Sequence, residues 1–489
     1  MSPEETAKAK SLEANIVIMG GGGSGLAAAV AASEKGASGI IVLEKQKYIG
    51  GNSARAHGLF ACESPVQKRE MIDCRADDCF KILMNWAHWS RVDALVVRAY
   101  LNKSGDTIRW LEEKGLEFEL RKVFPNQVPV WHNPAGLGAQ LIRVLTKDCE
   151  NMGVKLLLRT SGRKILRGTD GSVTGIVAVN EEGKEFEIRA RSVIIATGGF
   201  GGNLDLLKKY CPDYFDGMRL EATSLTGDGL LMAAEAGAAI ASAVPLLGGG
   251  RGPDISWGKM GSLGAIAGEF YTVWVNKKGK RFADESALVS GNAAMMQPEK
   301  VTFTLFDDMI RQYMEEKGVL IGHAPPKLEK AQRQGLPGLK DELKRKVEES
   351  DGHTVKISDS WDEIARWIGA DPVVLKSTVD EYNSFCDRGH DEVLVKDQRY
   401  LMPLRKAPYY AIRCSPGFHD TMGGIKVNEH MEVRDTRDNI IPGLYTAGVL
   451  ADGWETFDYC WVLCGSAFGF AINSGRIAGE SAAKFVLGK

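Results

Sequence analysis

The sequence predicts an α/β chain: a discontinuous Rossmann-like domain with an inserted α+β cap. Three observations point there. A β-branched apolar run, Ala14–Met19, leads directly into Gly20-Gly21-Gly22-Gly23-Ser24-Gly25, then an alanine-rich stretch, then a second apolar run, Ile40–Leu43, closed by Glu44. Glycine makes up 56 of the 489 residues, well above the roughly 7% of ordinary chains and without a collagen period. The composition changes after about Pro245 and the glycine-rich style returns near Tyr409. The expected organisation is therefore 1–245 as the first part of the Rossmann-like domain, 246–405 as the cap, and 406–489 as the second part.

The elements follow in order. Ala14–Met19 reads as a buried parallel strand, Leu26–Lys35 as a helix and Ile40–Leu43 as a second buried strand, which together make a βαβ unit. Arg69 to about Lys114 is expected to be helical, and Leu137–Asn151 shows helical periodicity that stops near Gly153. Lys155–Leu158 is a short strand. Val173–Ala178 and Glu185–Arg189 pair across a turn at Glu182-Gly183, and Val193–Thr197 is another buried strand ending in Gly198-Gly199. Leu230–Ala239 is a helix of small residues, and 327–349 is a charge-rich surface stretch. If Arg69–Lys114 is one helix, Cys74 and Cys79 point about 140° apart, which is poor geometry for a bridge.

Gly20, Gly22 and Gly25 fit the G-x-G-x-x-G pattern between strand and helix. The first glycine allows a tight turn, the second lets backbone approach a pyrophosphate, and the third lets helix and strand pack closely. The helix N-terminus offers free N–H groups and partial positive charge to the phosphates. Glu44 follows 19 residues after Gly25, at the next strand end, where a carboxylate accepts hydrogen bonds from ribose hydroxyls.

Other classes are disfavoured. Lys plus Arg total 61 and Asp plus Glu total 63, a net charge of −2, so bulk charge does not call for nucleic acid or an anionic membrane. No apolar run reaches the roughly 18 residues of a spanning helix, and the polar segment Met1–Glu13 lacks the apolar core of a signal peptide. The nine cysteines are scattered, without C-x-x-C, which fits a reducing, cytoplasmic setting and no metal site.

Further motifs narrow the reading: Gly50-Gly51-Asn52-Ser53, Gly58-Leu59-Phe60-Ala61, Ala196-Thr197-Gly198-Gly199-Phe200, Thr226-Gly227-Asp228-Gly229, Gly443-Leu444-Tyr445-Thr446-Ala447-Gly448 and Gly465-Ser466-Ala467-Phe468-Gly469. As a set, spread over essentially the whole chain, they resemble the fumarate reductase/succinate dehydrogenase flavoprotein family. The resemblance implies FAD extended across the Rossmann-like domain, with substrate held against the flavin beneath a cap and hydride passing from reduced flavin N5. By position it implies Gly51, Asn52 and Ser53 along the pyrophosphate and ribityl side, Thr197 and Gly198 near the adenosine half, and Asp228 toward the ribityl or flavin end. It also implies Gly465, Ser466 and Ala467 at the flavin pyrimidine. The candidate cofactor-binding set is completed by Gly20, Gly22, Ser24, Gly25, Glu44, Lys45, Gly58 and Gly448. No second G-x-G-x-x-G follows Ala196–Gly199, so a separate NAD domain is not expected. The position that matches the flavin-linking histidine of succinate dehydrogenases falls near Gly51, so non-covalent FAD is expected. His57 lies elsewhere in that stretch and reads as a loop or packing residue, with a place facing the flavin as the alternative.

The chain also departs from the family pattern. The two arginines that clamp or protonate a dicarboxylate in such reductases fall, by counting, on Val289 and Val462, and no histidine stands near Pro245. A dicarboxylate would then be buried with unpaired charge. The expected substrate is instead neutral and ring-bearing, isoflavonoid-like, stacked on aromatics among Trp454, Phe457, Tyr459, Trp461 and Phe468. His419-Asp420 stands where the family has His-His, so His419 and Asp420, with Tyr459, are the candidate catalytic residues, and Arg281 and Glu285 resemble a structural part of the cap. The electron donor is open between NAD(P)H and a redox protein. Two other readings are a 3-ketosteroid Δ1-dehydrogenase-like enzyme and a non-catalytic flavin electron carrier.

Overall fold

The computed structural model describes residues 11–121, 128–214, 216, 218–220, 224–246, 251–256, 259–286, 290–319, 335–455 and 459–489. Phe457, Val289 and residues 327–334 lie outside the described residues. Two units are defined by the contacts: Met1–Tyr214, Ala222–Leu246 and Asp420–Lys489 form the first, and Phe215–Glu221 with Leu247–His419 form the second. The chain thus re-enters the first unit at Asp420, where the sequence reading draws the line at 406. Strand Tyr409–Phe418 is the central strand of the second unit's sheet.

The first unit is built on a sheet whose strands run in the order Glu432–Arg434, Ile440–Thr446, Glu185–Ile195, Leu12–Met19, Ile40–Leu43, Lys155–Leu157. Four of these five pairings are parallel, the exception being Glu432–Arg434 with Ile440–Thr446. Val17, Ile18, Val42, Val193 and Ile194 are fully buried, as expected of strands covered on both faces. The antiparallel hairpin Ser161–Arg167 and Val173–Val179 branches from the outer half of Glu185–Ile195. That strand fuses two expected segments, Glu185–Arg189 and Val193–Thr197, because its outer half pairs with the hairpin while its inner half joins the parallel core.

Helix Gly23–Glu34 packs against the final helix, Ser466–Leu487. A Cβ on Gly475 or Gly479 would overlap the carbonyl oxygens of Ser24 and Ala28. The alanine-rich composition of the first helix is thus matched by glycines on the last, and the two backbones approach closely. The expected helix over Arg69–Lys114 is instead three: Pro65–Arg69, Ala76–Trp86 and Ala94–Glu113. Positive φ at Met71, His88, Trp89 and Arg91 breaks the path, and Asp93 restarts it by accepting hydrogen bonds from the N–H groups of Leu95 and Val96. Cys74 therefore precedes its helix while Cys79 lies within it, and their sulfurs sit 3.6 Å apart rather than on opposed faces.

In the second unit, Tyr409–Phe418 pairs antiparallel with Thr302–Asp307, Val355–Ser358 and Arg251–Pro253, and Thr302–Asp307 pairs with Val273–Asn276. Helices Asp308–Lys317, Leu339–Glu349, Trp361–Ile368 and Pro372–Arg388 belong to this unit. Among the described residues, no helix is long and apolar enough to cross a membrane.

Candidate active site

The first unit gathers most of the singled-out residues at the C-terminal ends of its parallel strands. Gly20 follows the first strand at φ 112°, a conformation that favours glycine. A Cβ there would overlap the Ala196 carbonyl, and one on Gly25 would overlap the Gly20 carbonyl. Gly22, by contrast, faces open space, its nearest neighbour a Gly50 oxygen at 3.9 Å. It forms an isolated bridge with Gly50, which brings the Gly51–Arg55 turn alongside. A Cβ on Gly23 would lie 2.7 Å from Ser53 Oγ, and one on Gly448 2.9 Å from Ser24 Oγ. The Gly448 N–H donates to Ser474 Oγ at 2.9 Å. Gly22, Ser24, Ser53 and Gly448 thus converge on the start of the first helix.

Glu44 is buried (8% exposed), and its carboxylate accepts from the N–H groups of Gly21 at 2.9 Å and Gln46 at 2.8 Å. It braces the glycine turn from beneath. Next to it, Lys45 Nζ donates to Thr226 Oγ1 at 2.6 Å and Asp228 Oδ2 at 3.1 Å. Asp228 therefore lies at the Glu44 end of the cradle, where the resemblance implied the ribityl or flavin end. The responsible contact spans 183 residues of chain. Thr197 backs the start of helix Asp228–Glu235, since a Cβ on Gly229 would overlap its hydroxyl.

Asp420 opens strand Asp420–Met422, which pairs with Val244–Leu246. It is 4% exposed. Its Oδ1 accepts from the Thr421 N–H at 2.8 Å, and Oδ2 stands 3.5 Å from Asn52 Nδ2. A Cβ on Gly199 would overlap its carboxylate, and one on Gly198 would lie 3.9 Å from it. Asn52, Gly198 and Asp420 are thus one cluster. His419 is half-buried, sits in the bend between two strands and belongs to the second unit. The pair therefore does not alternate along a single strand.

A second cluster surrounds Gly465, which caps the final helix at φ 86° without a side-chain cap. Tyr459 Oη accepts from the Gly465 N–H at 2.7 Å, and burial pushes the phenol well above its ordinary pKa, so Tyr459 keeps its proton. The Gly465 carbonyl accepts from Phe60 N at 2.9 Å. A Cβ on Gly465 would lie 2.5 Å from Phe60 N and 2.6 Å from Trp131 Cδ1. Gly58 is held against the neighbouring strand, where a Cβ would sit 2.7 Å from the His132 oxygen. Ser466 is buried and Ala467 half-buried in the first turn of the helix.

The expected aromatic wall divides. Trp454 is fully buried and stacks on Phe470 at 4.5 Å, and Phe468 is also buried, so both are core residues. Trp461 is half-buried beside the equally half-buried Val462 and meets Tyr459 edge-on at 5.0 Å. Two further residues went unmarked in the sequence. Trp131 stands on the strand beside Gly465. Asp452 lines an open cleft of about 640 Å³ with Arg91, Lys426 and Arg434, and burial raises its carboxyl pKa to about 6. Its oxygen would lie 3.0 Å from a Cβ on Gly423. A carboxylate close behind the apolar run at Gly448 was the available signal.

The site fits FAD on its own geometry. Two helices, beginning at Gly23 and Ser466, start without a side-chain cap and without an acidic residue in the first turn. Their N–H groups are thus left to a ligand. Gly20, Gly22, Ser24 and Gly25 with Gly51, Asn52 and Ser53 would hold the phosphates, and Gly465, Ser466 and Ala467 the ring end.

Residues 15–458 match the FAD binding domain family. The chain belongs to that family, within the fumarate reductase/succinate dehydrogenase flavoproteins, and is an FAD-dependent oxidoreductase. It is 31% identical to the vinyl phenol reductase of Lactiplantibacillus plantarum over 493 residues, 98% of either chain. It is 29% identical to the cytochrome fumarate reductase of Shewanella frigidimarina, over 98% of this chain and 78% of that one. The solved open conformation of a flavocytochrome c3 fumarate reductase aligns with a TM-score of 0.70 and 26% identity, covering 98% of this chain and 79% of that chain.

Proposed function

We propose that this oxidoreductase reduces a neutral, ring-bearing phenolic acceptor, and we name tetrahydrodaidzein, reduced to equol, as the specific isoflavonoid substrate. One observation carries the reading: at Gly465 the chain presents half-buried Trp461 and Val462 with the protonated Tyr459, where the family resemblance calls for an arginine. A dicarboxylate held there would lack its charge partner, whereas a phenolic ring gains apolar contact and stacking. The relative that acts on vinyl phenol supports the same substrate class. When bound, non-covalent FAD supplies the hydride. The chain supplies the proton inventory: Tyr459 holds one at its Oη, and Asp420 accepts one at its carboxylate. The donor that reloads the flavin is NAD(P)H or a redox protein.

The test is anaerobic. The holoprotein is reduced with dithionite, and flavin reoxidation is followed with 4-vinylphenol, tetrahydrodaidzein, fumarate or a 3-ketosteroid. Reoxidation by the phenols, with equol formed from tetrahydrodaidzein, is expected. Fast reoxidation by fumarate alone overturns the reading, and reoxidation by no small molecule makes the protein an electron carrier. Asp420→Asn should lower turnover by roughly 10²-fold or more, the usual scale of a general acid–base group, with FAD content retained.

A further inference from the structure

Three buried cysteines of the first unit, Cys62, Cys74 and Cys79, come together as free thiols. Cys74 Sγ and Cys79 Sγ lie 3.6 Å apart. Cys62 is the second neighbour of the Cys79 sulfur. The hydrogen bond between these two holds the Cys62 thiol below its ordinary pKa, against the effect of burial. Hydrogen bonds to Cys62 and Cys74, with burial, push the Cys79 thiol up. Cys149 and Cys414 are also buried, but they give their thiols to the backbone carbonyls of Leu26 and Ile412. Among the described residues, no group of three or more His, Cys, Asp or Glu side chains is arranged to hold a metal ion, so the three sulfurs are a thiol cluster rather than a ligand set.

Local structure builds the cluster. Glu63 is the clamp: its N–H donates to the Cys74 carbonyl at 3.0 Å, and its Oε1 accepts from the Ala76 N–H at 2.9 Å. That fixes the segment ahead of helix Ala76–Trp86 against residues 62 and 63. Cys62 is tied in turn to helix Ala94–Glu113. Its N–H donates to Ser104 Oγ at 3.1 Å, and its Sγ lies 3.3 Å from the same oxygen and 3.5 Å from the Leu101 carbonyl oxygen. Cys79 sits near the start of its helix, whereas Cys74 lies in the irregular segment before it, between exposed Asp73 and Arg75. Closing the gap to the roughly 2.05 Å of a disulfide takes a shift of about 1.5 Å. Cys74 can make that shift without breaking a helical hydrogen bond.

We propose that Cys74 and Cys79 form a reversible dithiol–disulfide site oxidised by hydrogen peroxide, with Cys62 held out of the bridge by Ser104 and Leu101. One sulfur attacks a peroxide oxygen. The O–O bond breaks, a sulfenic acid forms and the other oxygen leaves as water. The second sulfur then displaces the sulfenic oxygen as a second water, and the S–S bond forms. In sum, two thiols lose two electrons and two protons, and the peroxide takes all four to become two waters. The site is independent of the substrate reading above.

The chain offers a direct readout, because Lys68, Arg69, Arg75 and Lys81 place the three cysteines on separate tryptic peptides, Ala56–Lys68, Glu70–Arg75 and Ala76–Lys81. FAD-loaded, reduced wild-type protein is freed of reductant, treated with rising hydrogen peroxide, alkylated in denaturant, digested with trypsin and read by mass spectrometry. The expected result is loss of two alkylatable thiols per chain and a linked Glu70–Arg75/Ala76–Lys81 pair, at doses where Cys149 and Cys414 are still fully alkylated. The chain should run as a monomer on a non-reducing gel, and dithiothreitol should restore both thiols. Cys74 and Cys79 still alkylated at doses that oxidise Cys149 and Cys414 would overturn the site. So would their conversion to sulfinic or sulfonic acids without a link, or a pair found only in disulfide-joined dimers. A link from Cys62 to Cys79 in place of the expected pair overturns the assignment of Cys74.

Discussion

The first unit packs its two long helices through Gly475 and Gly479, where any side chain would strike backbone, and leaves the helix starts at Gly23 and Ser466 without side-chain caps. The second unit solves its interior with ions. Arg281 bridges Glu285 and Asp391 at 2.9 Å each, Lys396 reaches Glu285 at 3.2 Å and the Thr272 carbonyl at 2.8 Å, and the Glu285, Asp391 and Lys396 side chains are fully buried. Arg251, 4% exposed, spends its guanidinium on Thr302, Thr304 and the Ala267 carbonyl and lies over Trp274. The difference lies in what fills the close contacts: paired side-chain ions in the second unit, and glycines that let backbone approach backbone in the first.

That contrast can be broken, beginning with the largest effect. Gly25→Ala places a methyl on the Gly20 carbonyl, a backbone atom that cannot step aside. FAD retained per purified chain should drop at least roughly tenfold, because helix and strand can no longer close on the phosphate turn. Glu285→Gln in the second unit should instead cost about 3–5 kcal/mol of stability by leaving Lys396 and Arg281 short of a buried carboxylate. The urea midpoint reads it, and the folded fraction should keep its FAD.

Asp452 sharpens the comparison, because it is a half-buried carboxyl placed in the glycine-built unit. Its pKa is raised from 3.8 to about 6, so the folded state binds the extra proton between those values. Stability therefore declines as pH rises through that window, by about 3 kcal/mol once both states are ionised. Asp452→Asn should be more stable than wild type at pH 8 by about that amount and equal to it at pH 4, as measured by denaturant titration at both values. The smallest effect belongs to Lys45→Ala. The Lys45–Asp228 pair is partly exposed, at 32% and 40%, so its loss should cost only about 0.2–1 kcal/mol and less still at high salt.

Much of the fold was legible because it is written locally. The βαβ unit rests on adjacent apolar runs and glycine spacing, and Ile40–Leu43 and Leu137–Asn151 appear at their expected bounds. The Arg69–Lys114 stretch misled because its breaks are single-residue events, positive φ at His88, Trp89 and Arg91 and an Asp93 cap, that periodicity averages away. The aromatic cluster misled for another reason: Trp454 and Trp461 look alike in sequence, and only packing buries the first and half-exposes the second.

By itself the sequence determined the glycine turn of the βαβ unit, the cofactor class and the absence of the expected arginine beside Trp461, since each depends on which residue follows which. Tertiary structure alone decided that Asp228 meets Lys45 across 183 residues, that Asp420 rests against Asn52 and Gly199, and that Trp131 meets His57 and reaches Gly465. Contacts of that range are set by how sheets and helices close on one another, and no local pattern encodes them.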